Sequence, residues 1–144
     1  SLKKDAEVPI TDLRMTRFMI SLQEAVQLVW HAFEDMVGSE IYVKKIPSMR
    51  ITDLASAILP NARQVEIGIR PGEKIHEQMI GSEDAISTFE YQDYFKILPT
   101  INGWAEDQAR IKDGIRVAPG FTYSSDANAD WMSIEQLRNW LDKN

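Results

Sequence analysis

The chain has 144 residues, room for one domain of ordinary size, and 44% of them are hydrophobic, enough for a core. A net charge of −6 argues against general nucleic-acid binding, and the absence of cysteine excludes disulfides and thiolate metal sites. No apolar run approaches the length of a membrane span, and the N-terminus shows no apolar signal region, so a cytoplasmic chain is expected.

Residues 1–8 are charged and read as a loose segment, with one domain over 9–144. Arg17-Phe18-Met19-Ile20 reads as a short extended segment. Ser21 and Glu24 then form a capping box. Behind it Ala25, Val26, Leu28, Val29, Ala32, Phe33 and Met36 recur at helical spacing, which predicts a core-facing helix over 21–37, stopped by Gly38. His31 lies off that stripe and reads as a surface or rim residue. The β-branched and aromatic run 40–44 predicts a strand, 46–49 a loop, and Thr52-Asp53 the start of a short helix ended by Pro60-Asn61.

A strand over 64–69 comes next, then Arg70-Pro71-Gly72, then a helix-like run over 73–80. A guanidinium on a rigid turn, beside a helix start whose free N–H groups favour anions, suits a phosphate and above all a diphosphate. Arg14 and Arg17 form a second basic pair, and a local arginine cluster can override the overall negative charge. Residues 81–87 read as a polar loop, 89–98 as extended and 102–114 as polar and aperiodic. Residues 121–126 read as a strand entering a turn. Ser133 and Gln136 form a second capping box, opening a terminal helix with Ile134, Leu137, Trp140 and Leu141 on one face. The alternation of strands and helices predicts an α/β fold. No G-x-G-x-x-G, no G-x-x-x-x-G-K and no Tyr-x-x-x-Lys occurs, so neither a dinucleotide loop nor a Tyr/Lys catalytic pair can be built from these residues. The two histidines, His31 and His76, lack metal-ligand spacing.

Four segments together carry a resemblance: Pro9 to Phe18, Glu40 to Met49, Gly68 to Glu77, and Phe121 to Asp126 with Trp131. In this order they resemble the inverting UDP-N-acetylglucosamine 4,6-dehydratases of bacterial polysaccharide and flagellin-sugar biosynthesis, in the extended short-chain dehydrogenase/reductase superfamily. Related UDP-sugar 4-epimerases carry similar segments. The resemblance implies the C-terminal, substrate-binding part of such a fold without its Rossmann Gly-rich half. It implies an NADP-dependent parent that oxidises C4 of the hexose, eliminates water across C5–C6, returns the hydride to C6 and inverts C5. It also implies UDP-sugar as ligand, an N-terminal Rossmann part as partner, and a homo-oligomer among the possible assemblies. No nucleic acid or membrane partner is expected.

The same resemblance implies that Arg70 faces the diphosphate and Glu73 the ribose hydroxyls. A planar guanidinium matches phosphate oxygens in pairs, and a carboxylate accepts from paired hydroxyls. Arg17 is a second candidate contact, Arg14 and Thr16 are candidates for the sugar pocket, and Pro47 and Ser48 lie after a strand end, where α/β ligands collect. No residue is assigned a catalytic or metal-binding role. Besides the dehydratase and epimerase readings stands a third, a standalone nucleotide-sugar-binding module.

Overall fold

The computed structural model describes residues 6–143. In chain order the strands are β1 (Glu7–Ile10), β2 (Thr16–Phe18), β3 (Ile41–Lys44), β4 (Ser48–Arg50), β5 (Arg63–Glu66), β6 (Gln78–Ile80), β7 (Thr88–Glu90), β8 (Tyr94–Ile97), β9 (Ile115–Arg116) and β10 (Tyr123–Ser124). The helices are α1 (Leu22–Asp35), α2 (Ile51–Ile58), α3 (Gln108–Ile111) and α4 (Ile134–Leu141). Short 3-10 turns occupy Asp84–Ser87 and Ile101–Glu106. The fold is mixed α/β. The sequence puts one domain over 9–144; the structure divides it into two compact units. Residues 1–5 of the expected loose segment lie outside the described residues, and Glu7 and Val8 belong to β1 rather than to a loose tail.

The first unit gathers the chain up to Met19, Pro47–Glu77 and the stretch from Ser124 onward. Here β1 pairs in parallel with β5, Glu7 opposite Arg63 and Ile10 opposite Glu66. β2 pairs antiparallel with β4, Phe18 opposite Ser48, so part of the expected 46–49 loop is a strand. α2 packs on α4 through Ala57 and Leu137, which cluster with Met49 of β4, with Met19, Ile51, Leu54, Met132 and Ile134 around them. α4 starts where its capping box requires: Ser133 accepts from the Gln136 N–H, and the Gln136 side chain accepts from the Ser133 N–H.

The helix expected over 73–80 does not form. A helix through this segment needs the carbonyls of Lys74 and Ile75 as acceptors for N–H groups four residues on. Both are taken by the Arg17 guanidinium, and Ile75 also accepts from the Thr16 N–H at 3.1 Å. The Glu77 carbonyl accepts from Ser125 N–H at 2.8 Å. The segment is therefore an irregular loop leading into β6.

The second unit comprises Ile20–Ile46 and Gln78–Tyr123. Its sheet has the order β3-β8-β7-β9, antiparallel throughout. The 89–98 run is a hairpin, its bend at 91–93 closed by Tyr91 N–H on the Tyr94 carbonyl at 2.9 Å. The core holds Phe89, Tyr91, Leu98 and Ile111, with Tyr94 against them.

α1 begins at its predicted capping box, but only part of its predicted apolar stripe turns inward. The face carrying His31 and Asp35 meets the sheet. The His31 ring lies 4.7 Å from Tyr94 and 6.0 Å from Tyr42, so this half-buried residue packs against aromatic rings of the sheet. Asp35 accepts from Tyr42 Oη at 2.6 Å and from Lys96 Nζ at 2.5 Å, and pairs also with Lys112. Burial works against ionisation of Asp35, yet hydrogen bonds from Lys112, Lys96 and Tyr42 hold its carboxyl far below the usual carboxylate range. Burial, with the Asp35 and Asp113 charges, pushes the Tyr94 phenol up to about 12. Of the predicted apolar stripe, Ala25, Leu28 and Ala32 are half-buried, while Val26, Val29, Phe33 and Met36 face outward together with Leu22, Phe33 being 69% exposed. The helix ends at an extended Met36 cap; Gly38, two residues on, gives its N–H to the Glu40 carboxylate instead of capping the helix.

Candidate functional site

The Arg-Pro-Gly-Glu turn lies in the first unit. Gly72 has φ +82°, the left-handed value that the third position of a type II turn demands, and Pro71 stands at the second, where its fixed φ suits the turn. Glu73 N–H closes the turn on the Arg70 carbonyl at 3.1 Å, and the Glu73 carboxylate accepts from the Arg70 N–H at 3.2 Å. Turn and carboxylate thus brace each other. The Arg70 side chain is exposed and, among the described residues, its guanidinium has neither a hydrogen bond nor an ion pair.

Arg17 has a different environment. Its Nη1 donates to the carbonyls of Thr16 (2.7 Å) and Ile75 (3.0 Å), and its Nη2 to that of Lys74 (2.9 Å). Its Nε lies 3.6 Å from the Glu77 carboxylate. The guanidinium therefore straps β2 to the loop after the turn.

Thr16 is 4% exposed and sits in a hydroxyl network. Its Oγ1 is 2.8 Å from His76 Nδ1 and 2.7 Å from Ser125 Oγ, and Ser125 Oγ accepts from the Glu77 N–H at 2.9 Å. The Glu77 carboxylate in turn accepts from the Phe18 N–H at 3.2 Å. Thr16 thus anchors the loop from within. Arg14 folds back on Asp12: its Nε and Nη2 reach the two carboxylate oxygens at 3.0 and 2.7 Å, and its N–H reaches Oδ1 at 2.8 Å. Those Arg14 hydrogen bonds draw the Asp12 carboxyl down to about 2.

Pro47 accepts from the Met19 N–H at 2.9 Å. Ser48 is fully buried: its N–H donates to the Asp130 carbonyl, its carbonyl accepts from Met132, and its Oγ accepts from Asn128 Nδ2 at 3.0 Å.

All seven sequence candidates fall in this one unit. Thr16 and Arg17 are brought onto the 70–77 loop that carries Arg70 and Glu73. Pro47 and Ser48 join the 128–132 segment, and Arg14 is occupied with Asp12. Sequence reasoning missed the supporting residues His76, Glu77, Ser125 and Asn128. His76, Glu77 and Ser125 had membership of the motif segments as their only signal and Asn128 had none, because partners 48 to 109 residues apart in the chain leave no local pattern. Among the described residues no group of His, Asp or Glu is arranged to hold a metal ion, and no helix is long and apolar enough to cross a membrane.

Fold and motifs define a part of an extended short-chain dehydrogenase/reductase. The chain belongs to the polysaccharide biosynthesis protein family, whose sequence profile matches residues 1–99. It is 49% identical, over 91% of its length, to a UDP-N-acetylglucosamine 4,6-dehydratase (inverting) of Campylobacter jejuni, and it spans 41% of that protein. It is 38% identical, over 67% of its length, to a UDP-glucose 4-epimerase of Rickettsia canadensis, spanning 29% of that one. The crystal structure of Pen from Bacillus thuringiensis superposes with a TM-score of 0.76 at 28% identity, covering 95% of this chain and 40% of the other.

Proposed function

We propose that this chain is the substrate-binding part of an inverting UDP-N-acetylglucosamine 4,6-dehydratase in bacterial surface polysaccharide biosynthesis. The observation that carries the reading is the Arg70 guanidinium, exposed and unpaired among the described residues, on a turn closed by Glu73 N–H on the Arg70 carbonyl and braced by the Glu73 carboxylate on the Arg70 N–H. The braced turn fixes the backbone that carries the charge, and a guanidinium without an internal partner keeps all its donors for an external anion. In this reading Arg70 binds the diphosphate of UDP and the Glu73 carboxylate accepts from the ribose hydroxyls. Arg17 and Thr16 position the loop, while Pro47 and Ser48 shape the neighbouring surface. The UDP subsite then lies within the first unit of the nucleotide-sugar domain proposed over 9–144.

The parent of this reading uses NADP, and the residues present do not fit that cofactor: no Gly-rich phosphate loop and no Tyr-x-x-x-Lys occur in the sequence. No step of the chemistry is assigned to this chain. Its contribution is to hold the nucleotide, so that remote binding energy orients the sugar. The outward apolar stripe of α1 is the surface proposed to meet a Rossmann part, or a second copy in a homo-oligomer. The cytoplasm is the compartment that this reading entails. The likeness to the Rickettsia epimerase supports a second reading, in which the same site serves UDP-sugar 4-epimerisation.

The test is calorimetric titration with UDP-N-acetylglucosamine, UDP-glucose and NADP. UDP-N-acetylglucosamine is expected to bind and NADP not, with Arg70→Ala weakening the UDP-sugar about ten-fold or more, the loss of one charge-assisted interaction. Tighter binding of UDP-glucose would favour the epimerase reading. An unchanged affinity in Arg70→Ala would overturn the assignment.

A further inference from the structure

A cavity of about 330 Å³ opens in the first unit between α4 and the 128–132 segment. Pro47, Trp131 and Trp140 supply apolar and aromatic walls, and Asp130, Gln136, Asn139 and Lys143 supply polar groups. This volume stands at the lower end of ligand pockets, which run upward from about 300 Å³. It admits a single ring, not a whole nucleotide sugar.

The Trp131 side of the wall is rigid. Trp131 Nε1–H donates to the Asn128 carbonyl at 2.7 Å, and the Arg50 guanidinium lies 4.9 Å from the indole centroid. Asn128 is itself tied to Ser48 Oγ and to the Asp130 carbonyl, each at 3.0 Å. The indole is therefore held before any ligand arrives, which lowers the ordering cost of binding.

The polar groups are a mixed set. Gln136 spends its Oε1 on the α4 cap and keeps its NH₂ to donate. Among the described residues, the Asp130 carboxylate, the Asn139 amide and the Lys143 ammonium have no side-chain hydrogen bond or ion pair. One carboxylate and one ammonium sum to zero, which does not select an anion. An apolar aromatic wall, faced by an acceptor, an amide that both donates and accepts, and two donors, matches one class of small molecule well. That class is a pyranose, whose ring presents a C–H face to an indole and a belt of hydroxyls to polar side chains.

We propose that this cavity is a binding site for an uncharged pyranose, separate from the diphosphate site at Arg70 and independent of the UDP-sugar reading. The test is saturation-transfer difference NMR on the full chain with methyl N-acetyl-β-glucosaminide and methyl β-glucoside, with UDP as competitor. Saturation transfer to the ring C–H protons is expected, and saturating UDP leaves it in place. Trp140→Ala weakens it about ten-fold and Trp140→Phe only about two-fold. Asn139→Ala, at an exposed position, weakens it several-fold while circular dichroism shows the fold intact, and this variant decides the matter if Trp140→Ala fails to fold. Absence of transfer in the wild-type chain, equal transfer in a folded Asn139→Ala variant, or displacement of the sugar by UDP would each overturn the proposal. If UDP-N-acetylglucosamine binds through Arg70 while neither glycoside shows transfer, only this inference fails.

Discussion

Thr16→Val tests whether the loop under the Arg-Pro-Gly-Glu turn is held by the buried hydroxyl network. Valine keeps the shape of threonine and removes only the hydroxyl. The Thr16 hydroxyl has one proton and two partners, so it donates to one of His76 Nδ1 and Ser125 Oγ and accepts from or faces the other. Each bond contributes about 1 kcal/mol net; its loss takes the Thr16 partner from His76 Nδ1 and leaves the 0% exposed Ser125 Oγ with the Glu77 N–H alone. The expected loss of stability is therefore about 2 kcal/mol, which for a chain of this size lowers Tm by roughly 8 °C. Urea and thermal unfolding followed by circular dichroism measure it, with Thr16→Ser as the variant that keeps the hydroxyl. A cycle with Ser125→Ala should show a coupling of about 1 kcal/mol, since the two hydroxyls share a bond. A Thr16→Val chain within about 0.5 kcal/mol of wild type, the level of an unremarkable surface change, would refute the argument.

Three further outcomes are expected. The Asp12 carboxyl sits at about 2 in the folded chain, below the value of about 3.9 in an unfolded one. Its contribution is therefore present above about pH 4 and fades as the pH falls toward 2; Asp12→Asn should flatten that part of the acid-unfolding profile, and an unchanged slope would contradict it. Asp35→Ala strips the carboxylate from Lys96, which is 1% exposed, and should cost about 3–5 kcal/mol in urea unfolding, the range for breaking a buried ion pair. Phe33→Ser removes a ring that is 69% exposed, so it should change the stability of this chain by less than about 0.5 kcal/mol; a larger loss would show that the ring is covered in solution.

The parts of the fold that were legible are those written in local chemistry. Both capping boxes, at Ser21 and Ser133, open helices as read, because the residues that satisfy the first N–H groups lie within one turn of each other. Pro60-Asn61 follows the end of α2 for the same local reason. Long-range partners were not legible. The apolar stripe of α1 was correctly identified as a stripe, but periodicity does not say what a face meets. Asp35 and His31 face the sheet because Lys96, Tyr42 and Tyr94 wait there, 7 to 63 residues away in sequence. The 73–80 helix failed in the same way: its own residues permit a helix, and an arginine 57 and 58 residues earlier takes the carbonyls it needs. The candidate residues at the site were named because they sit in recognisable segments. Which of them face outward was decided by hydrogen bonds between segments.

That distinction separates two arginines that look alike in sequence. Arg17 commits three donor contacts to carbonyls and faces Glu77 with Nε, whereas Arg70 commits none of its side chain. Removing Arg17 should therefore act on the loop and removing Arg70 on the ligand. Arg17→Ala frees the carbonyls of Lys74 and Ile75, so the 70–77 segment should become more susceptible to limited proteolysis and lose amide-exchange protection, with any UDP-sugar binding weakened as a consequence. Arg17→Lys should rescue only part of this, because a single ammonium cannot span, in one plane, the carbonyls that the guanidinium fork spans. Arg70→Ala should leave proteolysis and exchange of the segment unchanged while weakening the UDP-sugar. If Arg70→Ala loosened the segment as much as Arg17→Ala did, the exposed guanidinium would be part of the scaffold and the diphosphate assignment would lose its basis.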